Sequence, residues 1–249
     1  MRKIFAAYSL LLLFSSCWKN EPREVVVAGI MEEGVAMDTL QLLSFPFSTS
    51  STLNESYAMI TDDENNIYPF FYSNGYLINI TSSLVPESGK AYDLKVFSGS
   101  DILESTAIIP PGIDFNSLNT DTFTVDPDNP NEAAFFLNWN DVAGHSFILK
   151  LENLEENPSP LPYAESGLFE TYYGLPVLGS NAIMVANFFS HYGHHRLTVY
   201  CIDRQYEEIF FYSPSDFRNL VTEGPTNIQG GKGFFTGVSS FIVDLYVNP

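Results

Sequence analysis

Three histidines fall within one five-residue stretch, at His191, His194 and His195. Imidazole nitrogens are common ligands of transition metals, so His191 and His194 are candidate metal ligands. The HExxH pattern of zinc hydrolases is absent, and Gly193 predicts a hairpin turn at this place. Neighbouring side chains of a strand point to opposite faces of the sheet, which would separate His194 from His195. We therefore favour solvent-exposed turn histidines over a metal centre.

Acidic and amide side chains crowd two other segments. Asp126, Asp128 and Asn129 lie in a stretch rich in Pro and Asn, and residues 62–66 read DDENN. Oxygen ligands of this kind suit Ca²⁺, which makes the first segment a candidate calcium site and Ca²⁺ the one cofactor to consider. Neither segment has the EF-hand spacing, and such sequences are also typical of tight turns.

The usual patterns of a nucleophilic enzyme are missing from the sequence. There is no Gly-x-Ser-x-Gly elbow, and the 30 acidic residues allow too many carboxylate pairs to single one out. Cys201 shares the face of a predicted strand with Leu197 and Val199, which predicts a buried structural thiol. We expect a protein that is not an enzyme, with an envelope hydrolase as the remaining catalytic alternative.

Aromatic residues are abundant, with 21 Phe and 14 Tyr. Those in the predicted loops of the second half could stack on a glycan or pack on a partner protein, or they could be core residues of a β protein. They are Tyr163, Phe169, Tyr172, Tyr173, Phe188, Phe189 and Tyr192.

The N-terminus has the layout of a secretory signal peptide. Arg2 and Lys3 precede an apolar run over residues 4–14, about half the roughly 20 residues that a membrane-spanning helix needs. The following Ser-Ser-Cys sequence resembles a bacterial lipobox, which implies cleavage after residue 16 and acylation of Cys17. Long acyl chains such as palmitate would anchor the protein firmly to a membrane, with residues 17–23 as a lipidated tether.

The rest of the chain reads as short strands separated by turns. Turn signals every 8–12 residues are typical of β-sandwiches, and they predict an all-β fold of two sandwich domains. A shift to Pro, Gly, Asn and Asp predicts a linker at 113–131, between an immunoglobulin-like domain at 24–112 and a second sandwich at 132–249. The sequence from Ser213 predicts one short helix over 213–220.

The second predicted domain resembles fibronectin type III-like domains at one point. The pattern Phe135-Phe136-Leu137-Asn138-Trp139, followed by a turn and by an apolar run over 146–151, resembles their strands B and C. The resemblance implies that Trp139 packs in the core.

Three motifs, in order, resemble a family of lipoproteins from Bacteroidetes-type bacteria known as a domain of unknown function. They are Gly89-Lys90-Ala91-Tyr92-Asp93-Leu94, Ile109-Pro110-Pro111 and Asn227-Ile228-Gln229-Gly230-Gly231-Lys232-Gly233-Phe234-Phe235. The resemblance implies an envelope location, often with TonB-dependent outer-membrane receptors encoded nearby, and no known reaction. Independently, Gly230, Gly231 and Gly233 predict positive φ or close backbone approach before a last strand.

The formal net charge is −19, which disfavours nucleic acid as a partner. We expect a lipid-anchored outer-membrane protein, on the periplasmic or cell-surface side, with a non-enzymatic binding or accessory role beside a TonB-dependent receptor. A glycan- or peptide-capturing surface module is the alternative from a different class.

Overall fold

Nearly every regular element of the computed structural model is a β-strand, as the many β-branched and aromatic residues predict. The structure describes residues 24–45, 53–80, 83–126, 128–164, 171–173, 177, 179–204, 207 and 226–249. The predicted signal peptide, Cys17, the tether and the predicted helix at 213–220 lie outside these ranges. The all-β class with strands layered as in sandwiches is confirmed.

The strands are numbered along the described parts of the chain. They are β1 (Glu24–Glu32), β2 (Thr39–Phe45), β3 (Tyr57–Asp62), β4 (Ile67–Ser73), β5 (Tyr76–Asn79), β6 (Ala91–Ser98), β7 (Asp101–Ile108), β8 (Phe115–Leu118), β9 (Thr122–Thr124), β10 (Ala133–Trp139), β11 (His145–Asn153), β12 (Thr171–Tyr173), β13 (Asn181–Val185), β14 (Gly193–Asp203) and β15 (Lys232–Asn248). A 3₁₀ turn covers Ala186–Phe188. Within the described ranges, no helix has the length and apolar character needed to cross a membrane.

The first unit is one sheet that curls around a core. Its strand order is β15-β1-β2-β5-β4-β3-β6-β7, with β15 parallel to β1. The ring closes where Glu104 in β7 and Gln229 exchange two backbone hydrogen bonds of 2.8 and 3.0 Å. Its fully buried side chains include Val27, Leu42, Ile60, Phe70, Leu77 and Val96.

The second unit is a two-layer sandwich that shares strand β15 with the first. The layer β12-β11-β14-β15, extended by β9, packs on the three-stranded sheet β13-β10-β8. Trp139 lies between the layers, with its ring centroid 5.2 Å from that of Phe147, so its predicted core position is confirmed.

The structure differs from the predicted domain boundaries in two places. Residues 113–131 do not form a linker, because they contain β8 and β9 and bury Ile113, Phe123 and Val125 in the second core. The C-terminal part of the chain also returns to the first unit, whose core includes Ile228 and Phe235. The reason is the length of β15, whose 17 residues reach roughly 56 Å and serve both cores.

Candidate ligand-binding groove

Strict alternation of buried and exposed side chains shapes the outer face of the first unit. In β6 the side chains of Tyr92, Leu94 and Val96 are buried, whereas Asp93 and Lys95 point away from the core. A strand that packs on one face only has this two-residue period. The outward side chains of β3, β6 and β7 therefore meet in rows that run across the strands.

One row is apolar over five strands. The register aligns Ile102 of β7, Phe97 of β6, Tyr57 of β3, Phe71 of β4 and Ile78 of β5, and we call these five residues the apolar strip. Ile102 is 50% exposed, Phe71 46% and Tyr57 40%. The rings of Tyr57 and Phe97 stack 4.7 Å apart at an interplanar angle of 15°, so each covers one face of the other.

A groove of about 590 Å³ lies beside the strip, over the next rows of the same strands. We call this cavity the groove. Most of its lining residues are of polar type, in contrast to the strip. The lining residues are Met59, Thr61, Asp93, Leu94, Lys95, Glu104, Ser105, Thr106, Asn227 and Gln229.

Two cross-strand polar pairs stand in the groove. Lys95 Nζ lies 2.5 Å from Glu104 Oε1, and the Thr106 hydroxyl donates a hydrogen bond of 2.6 Å to Asp93 Oδ1. An ammonium has three donors and a carboxylate about four acceptor positions, so each pair keeps capacity for a ligand. Opposite charges on facing positions also hold each other in place, which orients both groups before a ligand arrives.

The wall of the groove is the segment 227–229. The Asn227 side chain donates to the carbonyl of Phe235 at 2.6 Å and accepts from its backbone N–H at 2.9 Å. The Ser105 hydroxyl donates to the Asn227 carbonyl at 3.0 Å, which attaches the same segment to β7. The wall is thus held to β15 by its own Asn227 side chain, to β7 by the Ser105 hydroxyl, and by the ring-closing bonds at Gln229.

The glycines of this segment take the conformations that the sequence predicted. Gly230 and Gly233 have φ values of +84° and +108°, and a Cβ atom at Gly233 would collide with the carbonyl oxygen of Val27. At Gly231 a Cβ atom would lie 2.8 Å from the carbonyl oxygen of Val25. The close approach of β15 to β1 requires residues without side chains here.

The histidines lie in the second unit, and they do not converge. His194 is exposed and His195 is 2% exposed, which confirms that they occupy opposite faces of the strand. His195 is therefore a core residue and not the turn histidine we expected. Its Nδ1 bonds to the Gly193 carbonyl at 3.0 Å, and its Nε2 accepts from Asn153 Nδ2 at 3.1 Å. Burial lowers the pKa of His195, and the bond to Gly193 only partly offsets this.

His191 contacts a neighbour in sequence. Its Nδ1 lies 2.7 Å from the Ser190 hydroxyl, and its backbone forms a bridge with Pro160. Among the described residues, no three His, Cys, Asp or Glu side chains are arranged to hold a metal ion.

Asp126, Asp128 and Asn129 form a turn. Asp126 Oδ1 accepts from the backbone N–H of Asp128 at 2.9 Å, and the Asp126 carbonyl accepts from that of Asn129 at 3.1 Å. The Asn129 amide reaches Glu132 at 3.4 Å. These contacts stabilise the turn, which is a common structural role of Asp and Asn side chains.

The acidic hairpin at 62–66 surrounds a lysine. Lys90 Nζ lies 3.0 Å from Glu64 and 3.2 Å from Glu87, and these hydrogen bonds raise its pKa. Asp62 instead accepts from the backbone N–H groups of Glu64 and Asn66. Burial acts to raise the pKa of Asp62, but the hydrogen bonds outweigh it and the pKa is lowered.

The aromatic residues predicted in loops are mostly part of the second core. Phe189 is buried beside Phe123, and Tyr163, Phe188 and Tyr192 pack against the same core. Burial raises the pKa of Tyr163 to about 12, and its hydroxyl donates to the Ala186 carbonyl at 2.7 Å. Phe169 and the side chains of Tyr172 and Tyr173 are outside the described part.

Cys201 is buried, as predicted, and carries no disulfide. Burial raises the pKa of its thiol to about 12, so the thiolate is rare at neutral pH.

Sequence reasoning missed the outer face of the first unit. The available signal was an aromatic residue in the exposed phase of an alternating strand, which Tyr57, Phe71 and Phe97 all show. The groove wall had no such local signal, because Ser105 and Asn227 are 122 residues apart.

The comparisons with known proteins give distant structural neighbours. No protein-family model and no curated protein matches the chain. The crystal structure of DIP-gamma IG1+IG2 aligns with a TM-score of 0.22 and 10% identity, covering 91% of this chain and 98% of that one. A DUF4785 family protein from Legionella pneumophila aligns with a TM-score of 0.25 and 12% identity, covering 73% of this chain and 52% of that one. Both TM-scores are too low for either structure to indicate a function for this chain.

Proposed function

We propose that this chain is a lipid-anchored, non-enzymatic capture protein of the bacterial cell envelope, which binds a short, hydroxyl-rich glycan in the groove. The observation that carries the proposal is the pair of preformed polar contacts, Lys95 with Glu104 and Thr106 with Asp93, in a cavity of about 590 Å³. Ligand cavities of roughly 300–1,000 Å³ with a few convergent polar groups are typical of small-molecule sites.

The chemistry of the lining favours sugar hydroxyls. Carboxylates, an ammonium, hydroxyls and amides provide donors and acceptors side by side, and each sugar hydroxyl needs both. The apolar floor at Met59 suits the C–H face of a sugar ring. The net charge of −19 and the two groove carboxylates disfavour anionic ligands.

An extended peptide fits this face less well. The backbone groups of β3 and β6 are already paired with neighbouring strands, so they offer no ladder to an added strand. A peptide lying across the strands could pair its backbone only with the few polar side chains of the groove.

The test is a glycan array probed with the full chain, purified from membranes in detergent. We expect a subset of neutral glycans to bind, and Lys95→Ala to weaken that binding by about tenfold or more, because a hydrogen bond to a charged group contributes about 1.5–3 kcal/mol. Lys150→Ala is the matched control, since Lys150 pairs with Glu152 at 2.7 Å on a strand of the second unit. Equal effects of the two variants, or an array without binding, would contradict the groove proposal.

The accessory role beside a TonB-dependent receptor rests on the anchor and on the resemblance of the sequence motifs. It is tested by affinity purification of the native protein and of Cys17→Ala from solubilised membranes. We expect a TonB-dependent receptor, identified by mass spectrometry, to accompany the native protein alone. Its absence from both samples, with the native protein still in the outer-membrane fraction, would rule out a stable accessory complex.

A further inference from the structure

The apolar strip is a feature that glycan binding in the groove does not use. Five outward apolar side chains in a single row are unusual on a chain with a net charge of −19. Isolated exposed apolar residues are normal on protein surfaces, whereas a continuous patch marks an interaction site. The strip is therefore the surface of the first unit that calls for an assignment.

One end of the strip lies next to the start of the described chain. A Cβ atom at Gly231 would lie 2.8 Å from the carbonyl oxygen of Val25 and 3.1 Å from Cγ of Leu103. A Cβ atom at Gly230 would collide with the carbonyl oxygen of Ile102. The first residues of β1 and the Ile102 end of the strip thus meet at the same turn.

The chain length between the anchor and β1 limits how far this end can be from a membrane. Cys17 is seven residues before Glu24, and seven residues extend over at most roughly 25 Å. An acylated Cys17 would therefore hold the start of β1, which lies beside the Ile102 end of the strip, within that distance of the bilayer surface.

The composition of the strip fits the interfacial region of a bilayer. Phe and Ile supply apolar surface, and Tyr57 adds a hydroxyl, a combination that is common at membrane interfaces. Tyr57 and Phe97 stack on each other, which leaves less open ring surface for a sugar. Asp101 and Glu104 beside the strip disfavour anionic headgroups and favour zwitterionic ones.

We propose that one end of the apolar strip, formed by Ile102, Phe97 and Tyr57 on the adjacent strands β7, β6 and β3, is a second membrane contact, which rests on the lipid surface that holds the acylated Cys17. The inference depends on the proposed lipid anchor but not on glycan binding. Two contacts orient a protein where one lipid anchor leaves it free to rotate. With the strip on the bilayer, the groove opens beside the membrane surface, where a membrane-embedded receptor would be reached directly.

The experiment places a nitroxide label beside the strip and measures its depth in the membrane. Native full-length protein carrying Ser100→Cys is reconstituted in vesicles of equal parts phosphatidylcholine and phosphatidylethanolamine. Ser100 lies exposed in the turn between β6 and β7, two residues from Ile102. Cys201 is fully buried and Cys17 would be acylated, so the new thiol takes the label. Ile183→Cys, on the outer face of the second unit, is the matched control.

We expect the accessibility ratio of oxygen to a water-soluble nickel complex to be several-fold higher at position 100 than at position 183. Adding Tyr57→Ser and Phe97→Ser should remove that difference while the protein still floats with the vesicles. Protein that floats with equal ratios at both positions overturns the membrane contact and leaves the anchor standing. Protein that does not float overturns both the contact and the anchor, and glycan binding is scored separately on the array.

Discussion

At the scale of single residues, His195 shows how the surroundings of a side chain determine its burial and its protonation. The sequence places it beside His194, yet one ring is exposed and the other is buried against Phe189, 5.1 Å between ring centroids. The bonds to Gly193 and Asn153 leave Nδ1 as the donor and Nε2 as the acceptor, which is the neutral imidazole. Such a ring contributes to stability only while it stays unprotonated.

We predict that the free energy of unfolding falls as the pH drops below about 6.5. Burial lowers the pKa of His195 in the folded state, so the unfolded chain binds a proton first and is favoured by acid. This one residue changes the free energy of unfolding by at most about 1.4 kcal/mol per pH unit. Between pH 7 and pH 5, the free energy of unfolding measured in urea should fall less for His195→Gln than for the native protein. We call this fall the acid loss.

His145→Gln is the control, because His145 lies at the opposite end of β11 from Asn153, the residue that contacts His195, and is not among the charges that act on His195. The lowered pKa of Asp62 acts in a separate window, below about pH 3.8, and does not interfere. An acid loss that is the same in both variants and the native protein would show that His195 does not control it.

At the scale of elements, β15 is the strand that joins the two units. Its first half runs parallel to β1 and completes the first ring, and its second half pairs with β14 and β9 in the second unit. The glycines at its start allow the approach to β1 and to β7. A side chain there would push β15 away from both neighbours.

We predict that Gly233→Ala destabilises the protein far more than Gly99→Ala. Both glycines have positive φ, which costs about 1–2 kcal/mol for alanine. At Gly233 the new Cβ atom also collides with the Val27 carbonyl, whereas nothing lies within 4 Å at Gly99. The collision should lower the free energy of unfolding, measured in urea, by a further amount of about 1–3 kcal/mol. Equal losses at the two positions would mean that β15 does not approach β1 as described.

At the scale of the whole molecule, the two cores share a strand and a sheet. The order β12-β11-β14-β15-β1-β2 passes from one unit into the other without a break in hydrogen bonding. Two domains joined by a flexible linker would unfold separately. A shared central strand instead couples the two cores in one transition.

We predict that a cavity in the first core shifts the unfolding of the second. Trp139 is the fluorescent reporter of the second core, measured in a Trp18→Phe background. Leu77→Ala empties a fully buried position of the first core and should cost about 2–5 kcal/mol, moving the Trp139 transition to lower urea. Ile80→Ala, at a 72% exposed position, should change the free energy of unfolding reported by Trp139 by about 0.5 kcal/mol or less. A Trp139 transition unaffected by Leu77→Ala would mean that the units unfold independently.

The sequence alone determined the features that depend on near neighbours along the chain. Short strands separated by turn signals were enough to predict the all-β class. The same local rules predicted the glycine conformations at Gly230 and Gly233 and the burial of Cys201, and the resemblance to fibronectin type III-like domains implied the burial of Trp139.

Only the tertiary structure decided which distant strands pair and what their outward side chains meet. A two-residue period shows that Asp93, Lys95 and Thr106 point away from the core, but not that they face each other beside Asn227. Strands that pair far apart in sequence leave no periodic signal. For this reason β8 and β9 were predicted as a linker. The entry of the C-terminal part of the chain into the first core was not predicted either. The groove wall depends on the contact of segment 227–229 with β7, and the apolar strip depends on the β3–β6 pairing that joins its hairpins, which is why both emerged from the fold.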